Sequence, residues 1–196
     1  FALFVNRDLP AQTYSDLVAY GRTHPGRLNV ATGTLGEYMV AAHVLQSAGV
    51  EGQRMPDKGG VQLMPDLITG QVQLNFGPIL NGLQHVRASK LRMLATTLPQ
   101  RSSLLPDVPT FAELGFRDMT AITWFGLAGP AGIPEAIAAS LNAEVRKAML
   151  TPDIRQRFAV EGIEPNDLDV AQFTAFVRDE AARWQPVARA AKIVPD

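Results

Sequence analysis

Two glycine-bearing loops that each lead into a helix are the parts of this 196-residue chain best suited to bind a small molecule. The first is Thr32–Gly36, where two threonines and two glycines precede an alanine-rich stretch. The first turn of a helix leaves backbone N–H groups unpaired, and these groups favour an anion such as a carboxylate or a phosphate. A plain N-cap turn is the alternative, because the same residue types form one. The loop lacks the GKS or GKT sequence of a P-loop.

The second loop is Asp57-Lys58-Gly59-Gly60, which follows a short predicted strand. Lys58 offers an ammonium group to an anion, and the glycines allow the backbone to approach a ligand closely. A solvated turn is the alternative, because connecting loops of this composition usually lie in water. The loop therefore indicates an anion site only in combination with other segments.

Two further segments combine glycine or aromatic residues with the end of a predicted strand. Asn75-Phe76-Gly77-Pro78 ends a strand and begins a helix, so Gly77 marks a sharp turn or a close approach to a ligand. A simple strand-to-helix turn is the somewhat stronger alternative. Trp124 and Phe125 precede a glycine-rich stretch, and aromatic residues at a crossover between lobes often form the wall of a pocket. They fill the core equally well, and for Phe125 we expect a core position.

Catalytic and metal-binding groups are not clustered in this sequence. The absence of cysteine excludes thiol catalysis, cysteine zinc sites and disulfides. The three histidines have no metal-binding spacing, no serine lies in GxSxG, and no carboxylate pair is placed for acid–base work. We therefore expect no catalytic residue, no metal and no cofactor. A formal net charge of -1 gives no basic surface, so we expect no nucleic-acid partner.

Strand and helix patterns alternate through the first two thirds of the chain. This alternation predicts an α/β fold with a mostly parallel sheet, in which loops at the carboxyl ends of the strands collect ligands. After Pro134 the pattern is entirely helical. The predicted strands are 1–6, 28–31, 52–55, 72–77, 91–96 and 119–128. The predicted helices are 13–23, 36–48, 60–69, 79–87, 110–114, 134–150, 152–161 and 170–192.

The order of these segments resembles the solute receptors of tripartite tricarboxylate transporters, the Bug family of bacteria. The family pattern has a Gly/Ser/Thr loop, a Pro-Tyr-Lys-Gly turn, a Gly-Gln strand ending in Phe-Asp, and a Leu-Pro-Asp-Val-Pro-Thr stretch. The matching residues are Thr32–Gly36, Pro56–Gly59, Gly70–Gly77 and Gln100–Thr110. Trp124-Phe125-Gly126-Leu127, followed by Pro130-Ala131-Gly132, matches the crossover by which the family's chain returns to its first lobe. The resemblance covers essentially the whole chain.

The resemblance implies an α/β fold of the type II periplasmic-binding-protein kind. Residues 1–123 would form one complete, ligand-binding lobe, and residues 124–196 the return crossover and the helical remainder of the other lobe. It also implies a periplasmic receptor that captures a small organic carboxylate and delivers it, without chemistry, to the membrane permease of a tripartite tricarboxylate transporter. By position, the implied ligand-binding residues are Thr32, Gly33, Thr34, Leu35, Gly36, Lys58, Gly59, Gly77, Pro78, Trp124 and Phe125.

Three departures from the family pattern modify these expectations. Family members begin with a signal peptide and a first-lobe segment that forms half of the pocket, whereas this chain begins at the first crossover. We therefore expect a truncated, binding-impaired receptor, the ordered part of a longer one, or a homodimer that covers the apolar faces of the C-terminal helices. Asp57 replaces the tyrosine of the turn, and Gly77 replaces the acid after Phe76. Without that acid, a plain carboxylate suits the site better than an amino acid.

Two other functions stay open from the sequence. An intracellular ligand-sensing domain of the same fold would need an attached helix-turn-helix, and no basic recognition helix is present in this sequence. A small α/β enzyme would need a nucleophile or an acid–base pair in the loops at the strand ends, and none is found there.

Overall fold

The computed structural model describes residues 1–55, 60–102, 105–116, 119, 121, 124–161, 165–191 and 193. For residues 60, 61 and 159–161 it describes the backbone alone. The chain divides into two units, one of residues 1–124 with 187–196 and the other of residues 125–186. Within the described ranges, no helix is both long enough and apolar enough to cross a membrane.

The first unit is built on a mixed sheet. Its described strands are β1 (Ala2–Asn6), β2 (Leu28–Ala31), β3 (Gly52–Arg54), β4 (Leu74–Gly77) and β5 (Leu91–Thr96). They lie in the order β3-β2-β4-β1-β5. β2 pairs in parallel with β3 and β4, whereas β1 pairs antiparallel with both β4 and β5. All five residues of β1 are buried, as the apolar run at the start of the sequence predicts.

The expectation of a mostly parallel sheet is wrong for the pairings that β1 makes. β1 lies between β4 and β5 and runs against both of them. A continuous apolar run indicates that a strand is buried on both faces, but it carries no information about the direction of its neighbours. The antiparallel insertion therefore depends on contacts between residues about 70 to 95 positions apart, such as Leu3 with Phe76 and with Ala95.

Helices cover the faces of this sheet. They are α1 (Tyr14–Thr23), α2 (Leu35–Ser47), α3 (Gly60–Ile68) and α4 (Ile79–Arg87). α2 packs on β3 and β4, α3 on β1, and α4 on β5. Gly82 of α4 lies against the fully buried ring of Phe4, where a Cβ would stand only 2.3 Å from the nearest ring carbon. A glycine is required there, because any larger residue would push α4 away from the sheet.

The sequence predicts most of these elements correctly. The five strands before residue 100 and the four helices before residue 90 are confirmed, with ends shifted by at most two residues. The predicted helix 110–114 is wrong: residues 111–115 form a turn, and Gly115 at φ 97° ends it in the left-handed region. The predicted strand 119–128 is wrong in its described part, since 119, 121 and 124–128 lie outside any strand. Glycines within 124–129 weaken strand formation there.

Three predicted helices are confirmed to within two residues in the last third of the chain, and they account for the regular structure that is described there. They are α5 (Glu135–Met149), α6 (Pro152–Glu161) and α7 (Val170–Ala190), the last of which extends from the second unit into residues counted with the first. In the second unit, the ring of Phe173 lies over Gly126, where a Cβ would come within 2.2 Å of it. Ile137 and Leu141, one turn apart on α5, are 49% and 54% exposed.

Candidate ligand-binding site

A pocket of about 420 Å³ opens in the first unit beside the start of α2. The loop before α2, α2 itself and the end of β4 contribute Gly33, Glu37, Asn75, Gly77 and Pro78 to its described lining. α3 and α4 contribute Leu63, Met64, Leu80, Asn81, Gln84 and His85. The pocket thus lies where the carboxyl end of β4 meets the first turns of two helices, α2 and α4.

The loop before α2 is closed by a reciprocal capping box. Thr34 is the N-cap residue, and its Oγ1 accepts a hydrogen bond from the backbone N–H of Glu37 at 3.2 Å. The Glu37 carboxylate in turn accepts hydrogen bonds from the N–H groups of Gly33, at 2.6 Å, and Thr34, at 3.1 Å. The chain's own carboxylate therefore occupies two of the N–H groups that this loop offers to an anion. The N-cap alternative is therefore present at this loop, with Glu37 as the capping carboxylate, and binding of an external anion there stays a prediction.

The same capping box closes α1, on the outside of the protein. Thr13 caps this helix, and the Asp16 carboxylate accepts from the N–H groups of Thr13, at 2.9 Å, and Gln12, at 3.0 Å. The hydrogen bonds with Thr13 and Gln12 hold the pKa of Asp16 below its ordinary value. Asp16 is exposed, whereas Glu37 is only 6% exposed and lines the pocket. The two helices therefore share a local structure and differ in what surrounds the carboxylate.

Two N–H groups in the first turn of α2 stay available. Within the described part of the chain, the N–H groups of Leu35 and Gly36 donate to no acceptor. Leu35 is 46% exposed, so this end of the helix is open to solvent, and neither Leu35 nor Gly36 is among the residues that line the pocket. The helix dipole adds a partial positive charge at the same end.

Asn75 at the end of β4 is the most deeply buried polar residue of the pocket, with 1% exposure. Its Nδ2 donates to the backbone carbonyls of Ala31, at 2.9 Å, and Phe76, at 3.1 Å. Its Oδ1 has no hydrogen-bond partner in the described structure. A Cβ added to Gly77 would stand 3.0 Å from this oxygen. The absence of a side chain at Gly77 therefore leaves space beside an unpaired acceptor.

The rest of the lining combines amides with apolar side chains. Asn81, Gln84 and His85 come from one face of α4, and Leu63 and Met64 come from α3. The described lining contains one carboxylate and one imidazole and has neither lysine nor arginine. Attraction of an anion by this wall therefore depends on N–H dipoles and amide donors among the residues described.

The structure brings some of the sequence-predicted residues to this pocket. Gly33, Gly77 and Pro78 line it, and Thr34 holds the loop through its cap. Thr32 lies beside Gly33, is 3% exposed, and has an Oγ1 without a hydrogen-bond partner among the described residues. Lys58 and Gly59 fall outside the described residues.

Trp124 and Phe125 are not among the residues that line this pocket. Trp124 is 40% exposed. Phe125 is 80% exposed, so its expected core position is wrong. The glycine that follows it, Gly126, packs under the ring of Phe173.

Sequence reasoning missed the residues that give the pocket its chemistry. Thr34-x-x-Glu37 is a capping-box sequence, and that pattern identifies Glu37 as the partner of the loop. Asn81, Gln84 and His85 recur at helical spacing in a short polar helix after a predicted strand end, which is a weaker signal. The sequence around Asn75 does not identify it as a pocket residue. Whether a polar residue in a strand is buried beside a pocket depends on which strands pair with that strand.

Comparison with known proteins decides the family. Residues 1–193 match the family described as tripartite tricarboxylate transporter family receptor. This chain belongs to that family. The resemblance seen in the sequence is therefore confirmed, and the family consists of solute receptors and not of enzymes.

One curated relative in this receptor family is the protein BugT of Bordetella pertussis. It is 31% identical to this chain over 192 residues, which are 95% of this chain and 58% of BugT. A protein in the tcbD-tcbE intergenic region of Pseudomonas sp. strain P51 is 30% identical, over 93% of this chain and 55% of that protein. The chain thus spans little more than half the length of these relatives.

Solved receptors of the family confirm the α/β, periplasmic-binding-protein-like fold. Rpa4515 of R. palustris, solved with adipate, is 29% identical with a TM-score of 0.82, over 100% of this chain and 66% of that one. MatC (Rpa3494) of Rhodopseudomonas palustris, solved with bound malate, is 28% identical with a TM-score of 0.79, over 95% and 65%. The periplasmic binding protein BugD, 22% identical with a TM-score of 0.80 over 98% and 66%, shares the fold.

Proposed function

We propose that this chain is the ligand-binding part of a periplasmic receptor that captures a small organic carboxylate. The receptor delivers that solute, unchanged, to the membrane permease of a tripartite tricarboxylate transporter. The observation that carries this proposal is the polar pocket beside the first turn of α2, in a chain of the receptor family. Relatives of 28–29% identity bind adipate and malate, which supports a carboxylate as the ligand.

The start of α2 supplies the attraction for the carboxylate. The N–H groups of Leu35 and Gly36 lie at the positive end of the helix dipole and are open for a ligand oxygen. The amides of Asn81 and Gln84 add neutral donors from α4. Glu37 fixes the loop by holding Gly33 and Thr34 in one conformation, so little ordering is left for the ligand to impose. Lys58 and Gly59, which follow β3 in the sequence, are proposed to border the same site.

The roles of the two parts of the chain are proposed from its membership of the family. Residues 1–123 act as the ligand lobe, and residues 124–196 as the return crossover with the helices of the other lobe, with Trp124 and Phe125 near the hinge. Because the chain spans 58% of BugT, we propose that the whole receptor encloses its solute with an additional wall. Closure of two walls on the solute excludes water and strengthens each hydrogen bond to the carboxylate.

A second copy of the chain is proposed as the cover for α5. Ile137 and Leu141 lie on one face of this helix and are about half exposed, and Leu150 just after it is 59% exposed. Soluble monomers rarely present contiguous apolar faces, so pairing of two such faces lowers the free energy. Light scattering on the purified protein is expected to give a dimer. A monomer that binds no hydrophobic dye overturns this part of the proposal.

Thermal unfolding in the presence of small carboxylates tests the main proposal. Adipate and malate are the probes, and adipamide, which has the length of adipate without its charge, is the control. At a ligand concentration of 100 times the dissociation constant, binding adds about 2.7 kcal/mol to the free energy of unfolding. We expect a higher melting temperature with at least one dicarboxylate and no change with adipamide. A folded protein that responds to neither dicarboxylate, in calorimetry as well as in melting, overturns the proposal.

A further inference from the structure

The side-chain carbonyl of Asn75 is a buried acceptor that the protein itself does not use. Asn75 is 1% exposed and lines the pocket, and no described residue donates to its Oδ1. Buried polar atoms are almost always hydrogen-bonded, so an exception in a pocket points to a group that arrives from outside. Two other buried oxygens, Thr32 Oγ1 and Thr96 Oγ1, also have no described partner, but neither residue lines the pocket.

The orientation of the amide is fixed by its other end. Nδ2 donates to the carbonyls of Ala31, on the neighbouring strand β2, and of Phe76. Turning the amide over would place Oδ1 against both carbonyl oxygens and would lose both hydrogen bonds. The atom that faces the empty space beside Gly77 is therefore the acceptor and not the donor.

Gly77 places no side-chain atom against that buried acceptor. Any side chain at this position would begin 3.0 Å from Asn75 Oδ1, which is closer than an ordinary carbon–oxygen contact. Pro78, the next residue, has no N–H with which to satisfy the oxygen. β4 thus ends with a free acceptor, a missing side chain and a missing backbone donor, all beside the same pocket.

We propose that Asn75 Oδ1 accepts a hydrogen bond from a hydroxyl group of the bound solute, so that the receptor prefers a hydroxy-substituted carboxylate to its unsubstituted analogue. The inference rests on the proposed function and specifies the solute of the same site. An amide oxygen carries no net charge, so it suits a neutral hydroxyl better than an ammonium group, which needs a negative partner when it is desolvated. The Glu37 carboxylate already accepts hydrogen bonds from two backbone N–H groups, so its negative charge is directed at the loop before α2. A site that pairs with a hydroxyl rejects the analogue without it, because the acceptor is then left unpaired.

Three C4 dicarboxylates that differ only at C2 test this preference by titration calorimetry. Succinate carries hydrogen there, malate a hydroxyl and aspartate an ammonium. We expect malate to bind at least tenfold more tightly than either of the others. Adipate and 2-hydroxyadipate repeat the comparison for a longer chain. Equal binding of both members of each pair, or a preference for aspartate over malate, overturns the inference while leaving a carboxylate receptor in place. No binding of any probe to the folded protein defeats the proposed function and the inference together.

Two variants separate the role of Asn75 from a general effect on the pocket. Gly77→Ala crowds Oδ1 but keeps the hydrogen bonds of Nδ2, and the φ of Gly77 is one that alanine adopts. We expect it to reduce the malate-to-succinate affinity ratio to about one. Asn75→Ala should do the same, with Asn142→Ala as the matched control, since Asn142 Nδ2 also donates to a backbone carbonyl, that of Leu168. If Asn75→Ala does not fold, Gly77→Ala alone tests the inference. An unchanged malate-to-succinate affinity ratio in a folded variant overturns the inference.

Discussion

Glu37 and Thr34 hold each other at the start of α2. Thr34 Oγ1 accepts from the Glu37 N–H at 3.2 Å, and the Glu37 carboxylate accepts from the Thr34 N–H at 3.1 Å. A carboxylate belonging to the protein therefore lies on the wall of a pocket that is proposed to take a carboxylate from outside. The pair stabilises the loop and, through the charge of Glu37, limits how strongly the loop attracts an anion.

Replacing Glu37 by glutamine separates these two effects. Glu37→Gln keeps the size of the side chain and one acceptor but removes the negative charge. We expect the free energy of unfolding to fall by about 1 kcal/mol, as for a weakened cap, because the hydrogen bonds to Gly33 and Thr34 lose their charge assistance. We also expect dicarboxylates to bind roughly fivefold more tightly, because a like charge near the ligand is removed. Urea unfolding and titration calorimetry measure the two quantities.

Asp16→Asn is the control for that variant, because Asp16 occupies the same capping box on α1 and does not line the pocket. It should lower stability by a similar amount and leave dicarboxylate affinity unchanged. Weaker binding by Glu37→Gln would contradict the expectation and would show that the Glu37 charge helps to hold the solute or its loop.

The hydroxyl of Thr34 gives a second matched comparison. Thr34→Ala and Thr13→Ala each remove the N-cap of one helix, so each is expected to cost about 1 kcal/mol of stability, within a range of about 0.5–2 kcal/mol. Thr34→Ala alone should weaken dicarboxylate binding, by about fivefold, because the released loop must be ordered again by the ligand. Calorimetric titration of both variants with adipate and malate measures the difference. Equal affinity in the two variants would mean that the loop before α2 is not part of the site.

Most helices and strands of this protein can be predicted from local patterns in the sequence. The apolar run of β1 and the switch to helical spacing at α2 are visible because burial in a strand and burial on one helix face repeat with different periods. The direction of β1 is not visible in this way. The direction of β1 depends on its pairing with β4 and β5. Pairing between segments that are distant in the sequence produces no periodic pattern in either segment.

The candidate site is predictable only where it is local. The loop Thr32–Gly36 is found from its hydroxyls and glycines, and Glu37 could have been found from its spacing to Thr34. Asn75 and the α4 face become pocket residues only because β4 lies beside β2 and α4 packs on β5. Those relationships are tertiary, so residue types and spacing do not reveal them.

Gly82 fixes the distance between α4 and the sheet, and through it the position of the α4 residues in the pocket. Gly82→Ala would place a Cβ 2.3 Å from the buried ring of Phe4, so α4 must shift. We expect a loss of about 1–3 kcal/mol in the free energy of unfolding, the usual cost of overpacking. Gly36→Ala is the stability control, since its Cβ would meet only Thr34 Oγ1 at 3.9 Å. It should be neutral or stabilising by up to about 1 kcal/mol, because alanine is the better helix former. Equal stability of the two variants in urea would show that α4 does not depend on this contact.

Tyr14 gives the protein a defined response to alkaline pH. The Tyr14 ring packs edge-on against Phe111 and Phe116, each at 5.5 Å between ring centroids, and its hydroxyl donates to the Val44 carbonyl at 3.5 Å. Burial raises the pKa of Tyr14 to about 12, from its ordinary value of 10. Between pH 10 and pH 12 the unfolded chain loses this proton while the folded chain keeps it. The free energy of unfolding is therefore expected to fall by on the order of 2 kcal/mol as the pH rises from 10 to 12. Below pH 10, Tyr14 should cause no change in the free energy of unfolding.

Tyr14→Phe should remove that alkaline decline, because phenylalanine keeps the ring packing and has no proton to lose. At pH 7 the variant should lose at most about 1 kcal/mol, since the hydrogen bond to Val44 is long. Tyr20→Phe is the matched control on the same helix, where Tyr20 is half-buried and stacks on His24 at 4.3 Å. Urea unfolding of the three proteins at pH 7, 9, 10 and 11 measures the slopes. The protein and Tyr20→Phe should lose stability above pH 10 and Tyr14→Phe should lose much less, because unfolding of Tyr14→Phe no longer releases the proton of this phenol. Parallel slopes in all three would place the alkaline response in another group.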